Sequence, residues 1–130
     1  MPRVVRICVV AVVLVLVALP ASASATSGSE PEATASKACK LSTREQSKLG
    51  TTYVLSLRVR GTSCANGKKV VKAFHRCRRN SGGRKGRCRR KVLGYKCTER
   101  RSNVISTQFD SKATCKRSGR EVSHKYTQNT

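Results

Sequence analysis

The sequence predicts a disulfide-stabilised α+β domain, with one helix packed on a small, mostly antiparallel sheet in the order β-α-β-β-β. Three observations carry this expectation. Residues 53–60 alternate in the period-2 manner of a half-buried strand, residues 70–77 carry apolar side chains at helical spacing, and six cysteines follow the first 25 residues. The chain has 130 residues, enough for one compact domain, and 28 Lys and Arg against 6 Asp and Glu set a formal net charge of +22.

Arg3 and Arg6 precede an apolar run from Ile7 to Leu19, and Pro20 leads into the small-residue stretch Ala21-Ser22-Ala23-Ser24-Ala25. That is the pattern of a secretory signal peptide over 1–25, cut after Ala23 or Ala25. The run falls short of the ~20 residues a bilayer crossing needs, so no transmembrane anchor is expected after processing. Cys8 opens the run instead of closing it, which argues against lipidation. Residues 26–38 hold Ser, Ala, Thr, Gly28 and Pro31 without apolar periodicity and read as a flexible lead-in; the folded domain is expected over 39–130.

Within that domain, Tyr53, Leu55, Leu57 and Val59 define the buried side of the first strand, against Val54, Ser56, Arg58 and Arg60. Ser63 or Asn66 can cap a helix whose Val70, Ala73, Phe74 and Cys77 lie at i, i+3, i+4 and i+7. Gly82, Gly83 and Gly86 punctuate a loop over 80–87. Strands are then expected over Lys91–Cys97, over Thr107–Lys116 with Phe109, Ala113 and Cys115 on one side, and over Glu121–Thr127 with Val122, His124 and Tyr126 on one side. The turn Ser118-Gly119 joins the last two.

Processing at residue 25 leaves Cys39, Cys64, Cys77, Cys88, Cys97 and Cys115. An even set in a small exported chain points to disulfides. No C-x2-C pair or paired-histidine spacing exists, so no metal site is indicated. A helix crossing back over the sheet to a parallel second strand would favour Cys39–Cys115, Cys64–Cys97 and Cys77–Cys88.

Gly61-Thr62-Ser63-Cys64 opening a basic helix, then Leu93-Gly94-Tyr95-Lys96-Cys97, Ala113-Thr114-Cys115 and a final strand through Val122 resemble small secreted cysteine-containing actinobacterial proteins. The resemblance spans about residues 53–126. It implies export and the fold, and brings no catalytic residues with it.

The densest feature is 76–91, where nine of sixteen residues are basic and none is acidic. Arg78, Arg79, Arg84, Lys85, Arg87, Arg89 and Arg90 are the expected contacts to an anionic polymer, on a basic finger closed by Cys77 and Cys88. The expected function is nonenzymatic binding of an anionic polymer by a secreted monomer: cell-wall polymer, nucleic acid or acidic polysaccharide. The alternative is a protein-binding module or inhibitor that meets an acidic protein surface.

A secreted ribonuclease is the weaker reading. It would need His75 and His124, the only histidines, as a general acid-base pair with Lys72 or Lys125 beside the phosphate. The pattern instead places His75 on an exposed helix face and His124 in the packing. Glu45, Glu99, Asp110 and Glu121 are isolated acids among basic neighbours and read as ion-pair partners, so no carboxylate pair, cofactor site or catalytic residue is expected.

Overall fold

The computed structural model describes residues 35–130; the expected signal segment 1–25 and most of the expected lead-in lie outside the described residues. Five strands, β1 (Lys37–Cys39), β2 (Tyr53–Arg60), β3 (Lys96–Ser102), β4 (Gln108–Arg117) and β5 (Arg120–Asn129), form one sheet in the order β1-β2-β5-β4-β3. All pairings are antiparallel. The main helix, α2 (Cys64–Asn80), covers one face, and a single-turn helix, α1 (Thr43–Gln46), precedes β2. This is the predicted α+β class, with β1 and α1 added. Regular structure therefore begins two residues before the expected boundary, because β1 pairs Lys37 with Val59 and Ala38 with Arg58.

Each boundary has a local cause. Ser63 caps α2 by accepting from the Asn66 amide, as expected. Ser42 and Glu45 form a reciprocal capping box around α1. Arg117 pairs directly with Arg120, and the intervening Ser118-Gly119 turn takes positive φ at both residues, the tight hairpin geometry that a right-twisted ribbon favours. The segment expected as a strand from Lys91 starts only at Lys96, since Leu93 and Gly94 turn the chain within an isolated Val92–Tyr95 bridge.

The inner face carries the core: Leu57 and Val59 of β2, Val122 and Tyr126 of β5, and Phe109, Ala113 and Cys115 of β4 meet Val70, Val71 and Phe74 of α2. Two sequence assignments shift here. Between Val54 and Ser56, β2 carries an extra residue relative to β5. That bulge reverses the alternation, so Val54 is buried while Tyr53 and Leu55 are 47% and 56% exposed. On α2 the buried stripe runs through Gly67, Val70, Val71, Phe74, His75, Cys77 and Arg78, wider than the expected one. Gly67 belongs there because a Cβ would lie 2.6 Å from Val59 Cγ1.

Among the described residues the outer face has no helix on it, and it reads in rows across β2, β5, β4 and β3. Arg60, Glu121, Lys116 and Lys96 form one row; Arg58, Ser123, Thr114 and Thr98 the next; then Ser56, Lys125, Lys112 and Arg100; then Tyr53, Thr127, Asp110 and Ser102.

The disulfides are Cys39–Cys64, Cys77–Cys88 and Cys97–Cys115. Cys77–Cys88 agrees with expectation; Cys39–Cys115 and Cys64–Cys97 do not form. The expected pairing assumed that the strand after α2 returns parallel to β2. Instead β5 and β4 lie between β2 and β3, which carries Cys97 to the far edge, directly opposite Cys115. Cys39, opposite Leu57, is then left to meet Cys64 at the start of α2. Closing a loop of this order contributes roughly 3 kcal/mol each. Peptide mapping of the nonreduced protein should recover these three linked pairs; a peptide joining Cys39 to Cys115 or Cys64 to Cys97 would contradict the strand order.

Candidate anion-binding surface

The basic finger begins in the last turns of α2. Cys77 is tied to Cys88, and between them the chain passes through a 3-10 turn at Gly83–Lys85. Two guanidinium groups hold this loop from beneath. Arg78 donates from Nε to the Gly86 carbonyl at 3.3 Å and from Nη2 to the Arg84 carbonyl at 2.8 Å. Arg101 of β3 donates to the carbonyls of Lys85 at 2.9 Å and Gly86 at 2.6 Å. Gly86 is required by close approach, since a Cβ there would lie 2.1 Å from the Arg78 carbonyl oxygen.

Arg78 therefore departs from its predicted role. Its side chain is fully buried and cannot meet a polymer. Its guanidinium lies over the rings of Tyr126 and Phe109, with centroids at 4.9 and 5.5 Å. Burial pulls its pKa below the ordinary arginine value, opposed by Tyr126 and Glu99. The carboxylate of Glu99 is the counter-charge: Oε1 lies 3.8 Å from Arg78 Nε and accepts from Arg101 Nε at 2.7 Å and from the Tyr126 hydroxyl at 2.6 Å. Burial first, and the bond to Glu99 among the further causes, pushes the Tyr126 phenol up. Glu99 is an ion-pair partner, as expected of an isolated acid, but it serves a fully buried cation, Arg78, and a half-buried one, Arg101, beneath the finger.

With the backbone held from below, Arg79, Arg84, Lys85, Arg87, Arg89 and Arg90 are all exposed. They divide among three shallow concavities. Arg79 and Arg84 line one together with Thr52, Gln128 and Asn129; Lys85, Arg87 and Arg89 line a second; Arg90 joins Arg76 and Lys91 in a third. Only Arg87 among them lies within ion-pair distance of a carboxylate among the described residues, with Nη1 3.9 Å from Glu99 Oε2. Guanidinium groups in this density suit bidentate capture of phosphate, sulfate or carboxylate oxygens.

The structure brings His75 and His124 together, but in the core. Their Nε2 atoms are 3.0 Å apart, and the side chains rank among the fully buried ones. The expected exposed position of His75 is thus corrected: it lies one residue past Phe74 on a stripe wide enough to include both. Arg78 Nη1 is 2.9 Å from His75 Nδ1, and a guanidinium only donates. His75 Nδ1 is therefore the acceptor and its proton sits on Nε2, directed at His124 Nε2. The His124 proton is then on Nδ1, a buried atom without a hydrogen-bond partner among the described residues. The neutral pair packs against Phe74 and Tyr126 and reaches no surface where a polymer could be cut. Among the described residues no group of three or more His, Cys, Asp or Glu is placed to hold a metal ion.

Compared with known proteins, the chain matches no family model, no curated protein and no solved structure.

Burial first, then the His124 imidazole with Arg78 and Arg79 for His75, and Arg78 for His124, hold both histidines well below their ordinary value of 6.5. Below that pH the unfolded chain takes up protons that the folded one refuses. Stability is therefore full above pH 6.5 and falls as pH drops toward the folded values, by about 1.4 kcal/mol per pH unit for each histidine. In NMR titrations of the folded protein both imidazoles should stay unprotonated between pH 8 and 5; a midpoint near 6.5 for either would contradict the buried pair.

Proposed function

We propose that the protein is an exported cationic domain that binds anionic polymers without catalysing a reaction on them, with the basic finger as its principal contact. One observation carries this reading: exposed Arg84, Lys85 and Arg87 stand on a loop pinned by a disulfide and by two guanidinium groups beneath it, with exposed Arg79, Arg89 and Arg90 at its two ends. A pinned loop loses little backbone freedom on binding, so more of the electrostatic attraction appears as affinity. The finger's self-repulsion, opposed among the described residues by Glu99 alone, is relieved when an anion arrives.

Export is supported by the signal-like segment at 1–25 and by three disulfides, which suit an oxidising compartment. No helix among the described residues is long and apolar enough to cross a membrane. The noncatalytic reading is supported by the burial of His75 and His124, the only histidines of the chain.

Retention on immobilised polyphosphate should fall steeply with salt, with a logarithmic slope proportional to the number of phosphates neutralised. Replacing Arg87, Arg89 and Arg90 together by Gln should flatten that slope by about 2 and leave the circular dichroism spectrum unchanged. Unchanged retention would remove the finger from the account. Salt-insensitive binding to a single acidic protein at a one-to-one ratio would favour the protein-binding module instead.

A further inference from the structure

The outer face of the sheet holds a second cationic surface that the finger does not explain. Lys125 of β5, Lys112 of β4 and Arg100 of β3 are in direct register across three adjacent strands. All three are exposed, and none forms an ion pair among the described residues. Adjacent strands are about 4.8 Å apart, and like charges placed directly opposite destabilise a sheet. The same face shows how a compensated row looks: two positions along, Glu121 stands between Arg60 at 3.0 Å and Lys116 at 3.6 Å. The Lys125-Lys112-Arg100 row has no such acid. Asp110, on the next row, is engaged by the Thr127 hydroxyl at 2.6 Å and the Asn103 amide at 2.9 Å.

Beside this row lie two exposed apolar side chains that the β2 bulge turns outward. Tyr53 pairs with Thr127 on the outer face, and the extra residue Leu55 lines a shallow depression with Arg100, Lys112 and Lys125, which Asp110 also borders. Had β2 continued without a bulge, Tyr53 and Leu55 would share the buried side with Leu57 and Val59. Their exposure places an aromatic ring and an aliphatic side chain next to uncompensated cations on an open antiparallel sheet face. Phosphates alone have no use for the ring. A single strand does, because its unpaired bases can lie on Tyr53 and Leu55 while its phosphates meet the cations. A duplex keeps its bases stacked inside and has no comparable use for them.

We propose that the outer face of the sheet binds single-stranded nucleic acid, with Lys125, Lys112 and Arg100 taking phosphates and Tyr53 and Leu55 taking a base. This rests on the broader reading of the protein as a polyanion binder and assigns a ligand class to a surface other than the finger.

The test compares three probes on the oxidised protein: a twelve-residue uridine oligonucleotide, an abasic oligomer with the same backbone, and inorganic polyphosphate. The uridine oligomer should bind roughly tenfold more tightly than the abasic one. Tyr53→Ala should abolish that difference and leave polyphosphate binding intact; Arg100→Gln, Lys112→Gln and Lys125→Gln together should weaken both oligomers. All four positions are exposed, and circular dichroism checks that the variants fold. Equal binding of uridine and abasic oligomers, or an outer-face triple variant that binds like the parent, would overturn this proposal. The polyanion reading would survive in that case if polyphosphate binding persisted and was lost with the finger variant, whereas absence of polyphosphate binding by every form would overturn both. Tighter binding to phosphatidylglycerol vesicles than to the uridine oligomer would assign the face to a membrane and overturn the nucleic-acid proposal.

Discussion

The fold depends on a buried ion pair. Arg78 comes from α2, Glu99 and Arg101 from β3, and Tyr126 from β5, and their charged and polar groups converge between helix and sheet. Desolvating these charges is costly, and their mutual attraction offsets the cost only where the remaining donors and acceptors find partners. Here the remaining donors of Arg78 reach His75 and the carbonyls of the finger, and those of Arg101 reach the same stretch of finger backbone. The core is thereby coupled to the surface loop. If Glu99 lost its charge, two cations under an already basic segment would be left without compensation.

That coupling explains how so cationic a chain can present an ordered charged surface. A segment with three glycines and four exposed cations, and two more just beyond it, would ordinarily pay a large ordering cost and spread under its own repulsion. In this protein the disulfide closes its ends and the two guanidinium groups hold its middle, so the exposed side chains project from a fixed frame. The sheet achieves something comparable on its other side without a special anchor, since strand register alone aligns Lys125, Lys112 and Arg100. The helix side and the outer face thus carry independent cationic surfaces, one built on a pinned loop and the other on a ladder.

Much of the fold was legible in the sequence because it rests on local signals. The Ser63 cap, the Ser118-Gly119 hairpin and the alternation through Val122, His124 and Tyr126 each follow from neighbours a few residues apart. The capping box in Ser42-Thr43-Arg44-Glu45 was equally readable, although no helix was expected there. What local patterns do not contain is strand order. Insertion of β5 beside β2 rewired two of three disulfides, and no spacing between cysteines encodes it. The bulge at Leu55 is similar in kind: it depends on the partner strand, so an unbroken alternation concealed it and with it the exposure of Tyr53. Arg78 was assigned to the surface on its charge, yet Val71, Phe74, His75 and Arg78 lie at i, i+3, i+4 and i+7. That spacing was the available signal for a buried cation, and Glu99, followed by Arg100 and Arg101, was its available partner.

The central claim is that Arg78 and Glu99 act as one unit in holding the finger to the core. Arg78→Met, Glu99→Gln and the double variant should be compared with the parent by urea denaturation. Each single change is expected to cost about 3–5 kcal/mol, because it leaves the other group buried and uncompensated, and the double variant should lose at least ~1.5 kcal/mol less than the sum of the two. Effects that add to within about 0.5 kcal/mol would mean that the two groups stabilise the protein independently, and the account of the anchored finger would fail.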